Sequence, residues 1–379
     1  MKTASRLDIG IALSTLASSR GGLETTAVML TRGLAARGHK ITLIAGLSPG
    51  RRLPEDLADL PARWLLAPHV ALGSTVVRAA RLSHPTAFRL STASFQAVCA
   101  LNLPIRGAMS RLSVTMTFLP RENAWLSQWR ERRRLAHVSY YSGGGSRWLA
   151  RDRSTIRLVN PAVAAREDGN LIRYRAHGIL PSGVPTGWLG EAFEIRPAAD
   201  SLLFVGRLEA NKGVMELLDI FHALADQIPA LRLRIVGEGH LRRAMEDAAR
   251  HHGTTRRITF AGALPQHEIR AEMQRADLLL LPTHFENFPL TLLEASAVGL
   301  PYVASDIPGI RGLTHSAAEL IPRATAAWSQ RIRDLLSNPL RRQAISDCGR
   351  RWAAQFSWDK VVDSAEQYLF RAVEEARQA

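Results

Sequence analysis

The sequence predicts an α/β protein built from two doubly wound parallel sheets, and three observations carry that prediction. Short leucine- and β-branched-rich runs alternate with amphipathic segments, the pattern of parallel sheets covered by helices. The 379 residues exceed what one core ordinarily organises, so two domains are expected. The stretch Pro181-Ser182-Gly183-Val184-Pro185, followed by Arg196-Pro197, marks where one alternating series stops and another starts. The expected domains are 1–188 and 189–355, with a helix over 356–379 expected to pack back on the first.

In order, the first series predicts a strand over Leu7–Leu13, a loop over Ser18–Gly22 and a helix over Leu23–Arg37 with Ala27, Leu30 and Leu34 on its apolar face. Gly38-His39 ends that helix and Ile41–Ala45 is the next strand. Residues 49–120 show no clear periodicity apart from a strand over Ser113–Met116. The second series predicts strands over Ser201–Val205, Leu231–Val236, Ile258–Phe260, Leu278–Leu281 and Tyr302–Ser305. Helices are expected over Val214–Asp226, Leu241–His251 and Gln266–Arg275, and Trp358–Arg377 closes the chain as a long amphipathic helix.

Composition narrows the class. Hydrophobic residues make up 46% and charged residues 22%, ordinary for a soluble enzyme. No apolar run is long enough to span a bilayer. The N-terminal IGIALSTLASS loosely imitates a secretory leader, but Asp8 and the glycines that follow favour a strand entering a loop. Two cysteines, Cys99 and Cys348, are too few for a disulfide framework and fit a reducing cytoplasm. The net charge of +15 is uneven: residues 1–188 hold 26 Lys+Arg against 10 Asp+Glu, residues 189–379 hold 23 against 24. The basic half points to an anionic partner such as a membrane surface, or to a compositional bias towards arginine. No nucleic-acid recognition motif accompanies the charge, so nucleic acid is not expected as a partner.

The most informative segment is 282–301, PTHFENFPLTLLEASAVGLP. Glu286 and Glu294 lie eight positions apart, with Phe288-Pro289 between them and a helix following. Pro289 suits a first helical turn. The amides near Leu290 and Thr291 would then form an anion site with the positive end of the helix dipole. Carboxylates on either side of an anion site suit a ligand that joins hydroxyls to a diphosphate, as a nucleotide sugar does. Upstream, Arg207 and Lys212 follow the strand Ser201–Val205, where two cations can neutralise a diphosphate. Taken alone they read more readily as solvated loop cations. The glycine pair of IVGEGH is a weak signal that turns the chain. Gly262 to Leu264, in TFAGALP, is equally a plain loop or a set of backbone groups presented to a nucleotide base.

Together, FVGRLEANKG, VGEG, FAGALP and ADLLLLPTHFENFPLTLLEASAVGLPYVASDIPG resemble the carboxyl-terminal domain of the GT4 retaining glycosyltransferases (glycosyl transferases group 1), which have the GT-B fold of two Rossmann-like domains facing across a cleft. FSWDKVVDSAEQYL and GGLETTAVMLTRGLAARGHKITLIA extend the likeness, which is poor over 46–180. The resemblance implies that Arg207 and Lys212 hold the donor diphosphate, Glu294 the ribose hydroxyls and Glu286 the transferred sugar near the reacting carbon. It assigns Gly262, Leu264, Asn287, Phe288, Leu290 and Thr291 to the donor, and Gly22 to phosphate or acceptor through its backbone. It implies a donor domain over 189–355, an acceptor domain over 1–188, no metal and no cofactor. Expected partners are a nucleotide-sugar donor and a glycan, lipid-linked or small-molecule acceptor, in the cytoplasm or at the inner face of the membrane.

Three features depart from that pattern. Thr117 stands where many relatives carry an amino-domain histidine. Ile307-Pro308-Gly309-Ile310-Arg311 replaces a Gly-Gly-x-x-Glu motif and puts a cation in place of a carboxylate. Asn287 replaces the glycine usual after the first glutamate. Separately, Trp125 and Trp129 beside Arg130 and Arg132–Arg134 form either a membrane-docking helix or tryptophans in a core with a solvated arginine face. The alternatives to a transferase are a nucleotide-sugar epimerase or hydrolase, and a silent nucleotide-sugar-binding protein.

Overall fold

The computed structural model describes residues 6–13, 16, 22–47, 55–68, 99, 103–142, 151–164, 176–190, 192–286 and 288–379. The chain divides into two compact units, 1–182 with 358–379, and 183–357. The first unit thus ends at Ser182 rather than residue 188. The short 3₁₀ turn Thr186–Trp188 buries Trp188 in the core of the second unit, which draws this stretch across the expected boundary. Asn287 lies outside the described residues, as do most of the loop expected over Ser18–Gly22 and the stretch 69–98.

The first unit is one parallel sheet of seven strands, β1 (Asp8–Ala12), β2 (Lys40–Leu47), β3 (Arg63–Pro68), β4 (Val114–Thr117), β5 (Ala136–Tyr141), β6 (Ile156–Val159) and β7 (Gly178–Ile179), in the order β3-β2-β1-β4-β5-β6-β7. Helices α1 (Gly22–Ala36), α2 (Leu103–Ser110) and α3 (Pro120–Glu131) connect the strands. Strands β1, β4 and β5 are buried on both faces, as in a doubly covered sheet: Ile9, Ile11, Val114, Met116 and Val138 are buried and apolar, while Thr115, Thr117 and His137, at the alternate positions, are buried and polar.

The second unit repeats the plan with six parallel strands, β8 (Ser201–Val205), β9 (Arg232–Val236), β10 (Ile258–Gly262), β11 (Leu278–Leu281), β12 (Tyr302–Ser305) and β13 (Glu319–Ile321), ordered β10-β9-β8-β11-β12-β13. Its helices are α4 (Val214–Ala225), α5 (Arg242–His251), α6 (Gln266–Arg275), α7 (Leu290–Val298), α8 (Thr325–Leu336) and α9 (Pro339–Ala353). The order reverses between β8 and β11, and the crevice at the carboxyl ends of such neighbouring strands is where doubly wound sheets bind ligands.

The closing helix α10 (Trp358–Gln378) joins the first unit. It inserts Val361, Val362, Ala365 and Leu369 into that core. Gly33 on α1 makes room: a Cβ there would lie 2.4 Å from Val362 Cγ2. Arg37 pairs with Asp363 at 2.6 Å, and buried His39 reaches Glu366 at 2.7 Å. Among the described residues no helix is long and apolar enough to cross a membrane.

The α3 segment corrects one expectation. Arg130 does not stand on a basic outer face. It is fully buried and donates to the carbonyls of Ala136, Met109 and Leu112 at 2.9, 2.9 and 3.0 Å. A guanidinium is the one side chain with enough forked donors to close so many carbonyls in a core. Trp125 and Trp129 pack against the adjoining apolar cluster, and exposed Arg133 lies over the Trp129 ring at 4.3 Å.

Candidate active site

Three strand-end loops of the second unit are knit together by backbone hydrogen bonds. The amide of Gly206, after β8, donates to Val236, and that of Gly237, after β9, to Gly262 at 2.8 Å. Leu208 donates to Glu238 at 2.9 Å. The glycines after β9 therefore connect the first and third loops rather than merely turning the chain. Gly262 closes β10 with φ 74°, and Leu264 is half-buried against the core.

The decisive contact joins the β8 and β11 loops. Lys212 ends a 3₁₀ turn over Ala210–Lys212, and its ammonium forms an ion pair with the Glu286 carboxylate, both side chains being mostly buried. Gly213 makes this approach possible. Its φ of 65° is left-handed, and a Cβ there would lie 1.9 Å from the Pro282 carbonyl oxygen. The backbone carbonyl of Asn211 accepts from the Thr283 hydroxyl at 2.9 Å and the His284 amide at 2.8 Å, fixing one loop on the other. Gly309 closes the far side: a Cβ there would stand 2.0 Å from the Glu286 carbonyl oxygen.

Helix α7 begins at Leu290, with Pro289 as its cap residue rather than in its first turn. The Leu290 amide already donates to Phe288 at 2.9 Å, so it does not offer itself to an anion as expected. Proline fixes its own φ and favours a tight turn before the helix proper, which draws this amide inward. The Thr291 hydroxyl reaches the Val205 carbonyl at 3.5 Å, setting the first turn of α7 against the carboxyl end of β8. Glu294, one turn further on, is 9% exposed and its nearest hydrogen-bond partner is Gln266 at 3.5 Å. Burial pushes its carboxyl up to about 7, and the weak Gln266 bond opposes this only slightly. Phe288 packs half-buried against the core.

Arg207 is exposed and pairs with Glu209 at 2.8 Å. Arg311 grips Asp306 through two bonds of 2.7 and 2.8 Å, so its charge is neutralised within its own loop. Gly22, in the first unit, opens α1 and is exposed, with open space where a side chain would begin. Among the described residues no three His, Cys, Asp or Glu side chains gather in a way that could hold a metal ion.

Sequence reasoning missed the buried network around Thr117. This residue ends β4, fully buried, and its hydroxyl donates to Asn123 Oδ1 at 2.5 Å. It accepts from His137 Nε2 at 3.0 Å, which leaves His137 Nδ1 to accept from Thr115 at 2.7 Å. Burial lowers His137 to about 3, so the imidazole is neutral. His137 lies on β5 one strand over, out of sight of a search along β4.

Residues 192–352 match the family model for glycosyl transferases group 1. The match lies within the second unit and takes in most of it. Among curated proteins, this chain is 33% identical over 207 residues to a glycogen synthase of Mycobacterium tuberculosis, covering 53% of this chain and 50% of that protein. It is 26% identical over 290 residues to the D-inositol 3-phosphate glycosyltransferase of Segniliparus rotundus, covering 61% and 65%. The chain thus spans about half the length of the first relative and less than two thirds of the second. Solved structures share the fold along nearly the whole chain. Sucrose-phosphate synthase from Thermosynechococcus elongatus aligns with a TM-score of 0.76 at 17% identity, covering 96% and 98% of the two chains. WaaG, a glycosyltransferase of lipopolysaccharide biosynthesis, aligns at 0.68 and 16%, covering 95% and 99%. The fold of the chain is accordingly GT-B.

Proposed function

We propose that the chain moves a sugar from a nucleotide-sugar donor to a glycan, lipid-linked or small-molecule acceptor, with retention at the anomeric carbon and without a metal ion or other cofactor. The observation that carries this reading is the Lys212–Glu286 pair at the β8–β11 switch point, with the buried carboxylate of Glu294 following on α7. The relatives, a glycogen synthase and a D-inositol 3-phosphate glycosyltransferase, support the reaction class. HepE of Anabaena, which shares the fold at a TM-score of 0.73 and 13% identity over 96% of this chain and 100% of its own, was solved with UDP and glucose.

Breaking the bond between sugar and diphosphate leaves negative charge on the departing oxygen, and fixed cations stabilise it. Lys212 and Arg207 supply that charge. Without a ligand, Lys212 and Glu286 neutralise each other. An arriving diphosphate competes for the ammonium and frees the Glu286 carboxylate to accept hydroxyls of the transferred sugar. Glu294 accepts the ribose hydroxyls, which replace the solvation its burial removes. The acceptor hydroxyl attacks from the face the diphosphate leaves. The new glycosidic bond forms as the old one breaks, and the acceptor proton passes to the leaving phosphate oxygen, so no protein base is assigned. Thr117 supports this division of labour, since its hydroxyl is already engaged on both sides. The proposed working place is the cytoplasm, at the inner face of a membrane where the acceptor is lipid-linked.

Donor consumption followed over a panel of nucleotide sugars, with and without acceptors, tests the proposal. Acceptor-dependent release of nucleoside diphosphate with a retained anomer is the expected result. Consumption without acceptor would replace the transferase with a hydrolase or epimerase, and donor binding without turnover would leave a binding protein. Lys212→Ala and Glu286→Ala should each lower turnover on the order of 10²-fold or more with the fold intact. Near-normal rates in both would sink the site assignment.

A further inference from the structure

The first unit carries a second candidate site at the amino ends of its strands, the opposite end from its strand-terminal loops. A groove of about 830 Å³ is lined by Asp8, Lys40 and Arg63, which open β1, β2 and β3, together with Arg6 and Arg111. That volume is of the size small-molecule sites have. Strand register sets the residues side by side, Asp8 opposite Lys40 and Thr42 opposite Arg63. Arg6, Lys40, Arg63 and Arg111 are all exposed, and none makes an ion pair or a side-chain hydrogen bond with another described residue. By contrast, Arg37, Arg196, Arg207, Arg234, Arg242 and Arg311 each have a carboxylate partner. Four like charges around one concavity repel one another and destabilise the free state, and a polyanion removes that repulsion.

We infer that this groove binds a soluble, multiply charged phosphate compound, gripped by Arg6, Lys40, Arg63 and Arg111, with Asp8 and the Thr42 hydroxyl available to hydroxyls on the same ligand. Forked guanidinium donors match phosphate oxygens, and the concave shape suits a discrete ligand better than a flat bilayer. The site is independent of the donor-site reading, because none of its residues belongs to the second unit.

Tripolyphosphate is the probe. It is titrated calorimetrically into the full chain carrying Lys212→Ala, which disables the diphosphate end of the other unit. The titration is repeated in that background with Arg63→Ala and Arg111→Ala added. Saturable binding that weakens with salt is expected in the first protein, with a loss of about tenfold or more in the second. Arg63→Lys with Arg111→Lys should recover part of the loss, since charge remains while the fork is removed. Absence of binding in the first protein, or equal affinity in the two, overturns the inference. So does sedimentation with phosphatidylglycerol vesicles that depends on Arg63 and Arg111 while tripolyphosphate fails to bind, because the ligand is then a membrane headgroup. Unchanged thermal midpoints verify that these exposed substitutions leave the fold intact.

Discussion

Replacing Glu294 by Gln should stabilise the protein and damage its function together. Burial lifts the Glu294 carboxyl from its ordinary 4.5 to about 7. In the folded state the proton is held more tightly than in the unfolded chain. The associated stability is therefore fully present below about pH 4.5, falls as pH rises and is lost above about pH 7. At roughly 1.4 kcal/mol per pKa unit, the ionised side chain costs at most about 3 kcal/mol at pH 8. Gln keeps the size and the hydrogen bond to Gln266 without ever ionising. Glu294→Gln should thus match the wild type near pH 4.5 and exceed it by about 1–3 kcal/mol near pH 8, after allowance for relaxation around the buried charge. Urea unfolding across this pH range measures the difference. Donor affinity moves the other way, since the amide offers one acceptor oxygen where the carboxylate offers two. A stability difference that stays constant with pH would refute the account of this carboxylate as a buried group awaiting hydroxyl partners.

Other substitutions probe separate links. Gly309→Ala places a Cβ against the Glu286 backbone carbonyl, so it should displace the Glu286 loop and lower donor affinity, turnover and the thermal midpoint together, measured by nucleotide titration and unfolding in parallel. Gly213→Ala combines left-handed backbone with a clash against Pro282 and should cost about 2 kcal/mol or more, read by chemical denaturation. Arg130→Ala leaves several buried carbonyls unpartnered and should destabilise the first unit by about 3 kcal/mol or more, whereas a surface-docking arginine would leave unfolding unchanged. Nucleotide sugars that fit the site should raise the thermal midpoint in a concentration-dependent way, and Lys212→Ala should abolish the rise.

Local signals with a strong period transferred directly into structure. Strands Ser201–Val205, Leu278–Leu281 and Tyr302–Ser305 and helix Gln266–Arg275 stand where their patterns put them. A fully apolar four-residue run between helical segments leaves few alternatives once both sheet faces are covered. The site was legible in part, because Lys212 and Glu286 sit on strand-end loops marked by Gly and Pro. Their ion pair was not, since 74 positions separate them and only the parallel order β8-β11 makes them neighbours. His137 escaped notice for the same reason, and Arg130 because a run of arginines reads as a solvated face until one of them is seen closing carbonyls inside.

The sequence by itself determined the alternation of elements, the likeness of the second unit to the group 1 glycosyltransferases and the residue types of the site, all of which depend on neighbours within a few positions. Tertiary structure decided which charges are paired, which are buried and which stand free. Sheet order alone brings Lys212 to Glu286, withdraws the Leu290 amide into a turn, engages Thr117 with His137 and leaves four unpaired cations around one groove at the amino ends of β1 to β3. The physical reason is that burial and pairing depend on distance in space, which a one-dimensional pattern constrains only where adjacent residues also become adjacent in the fold.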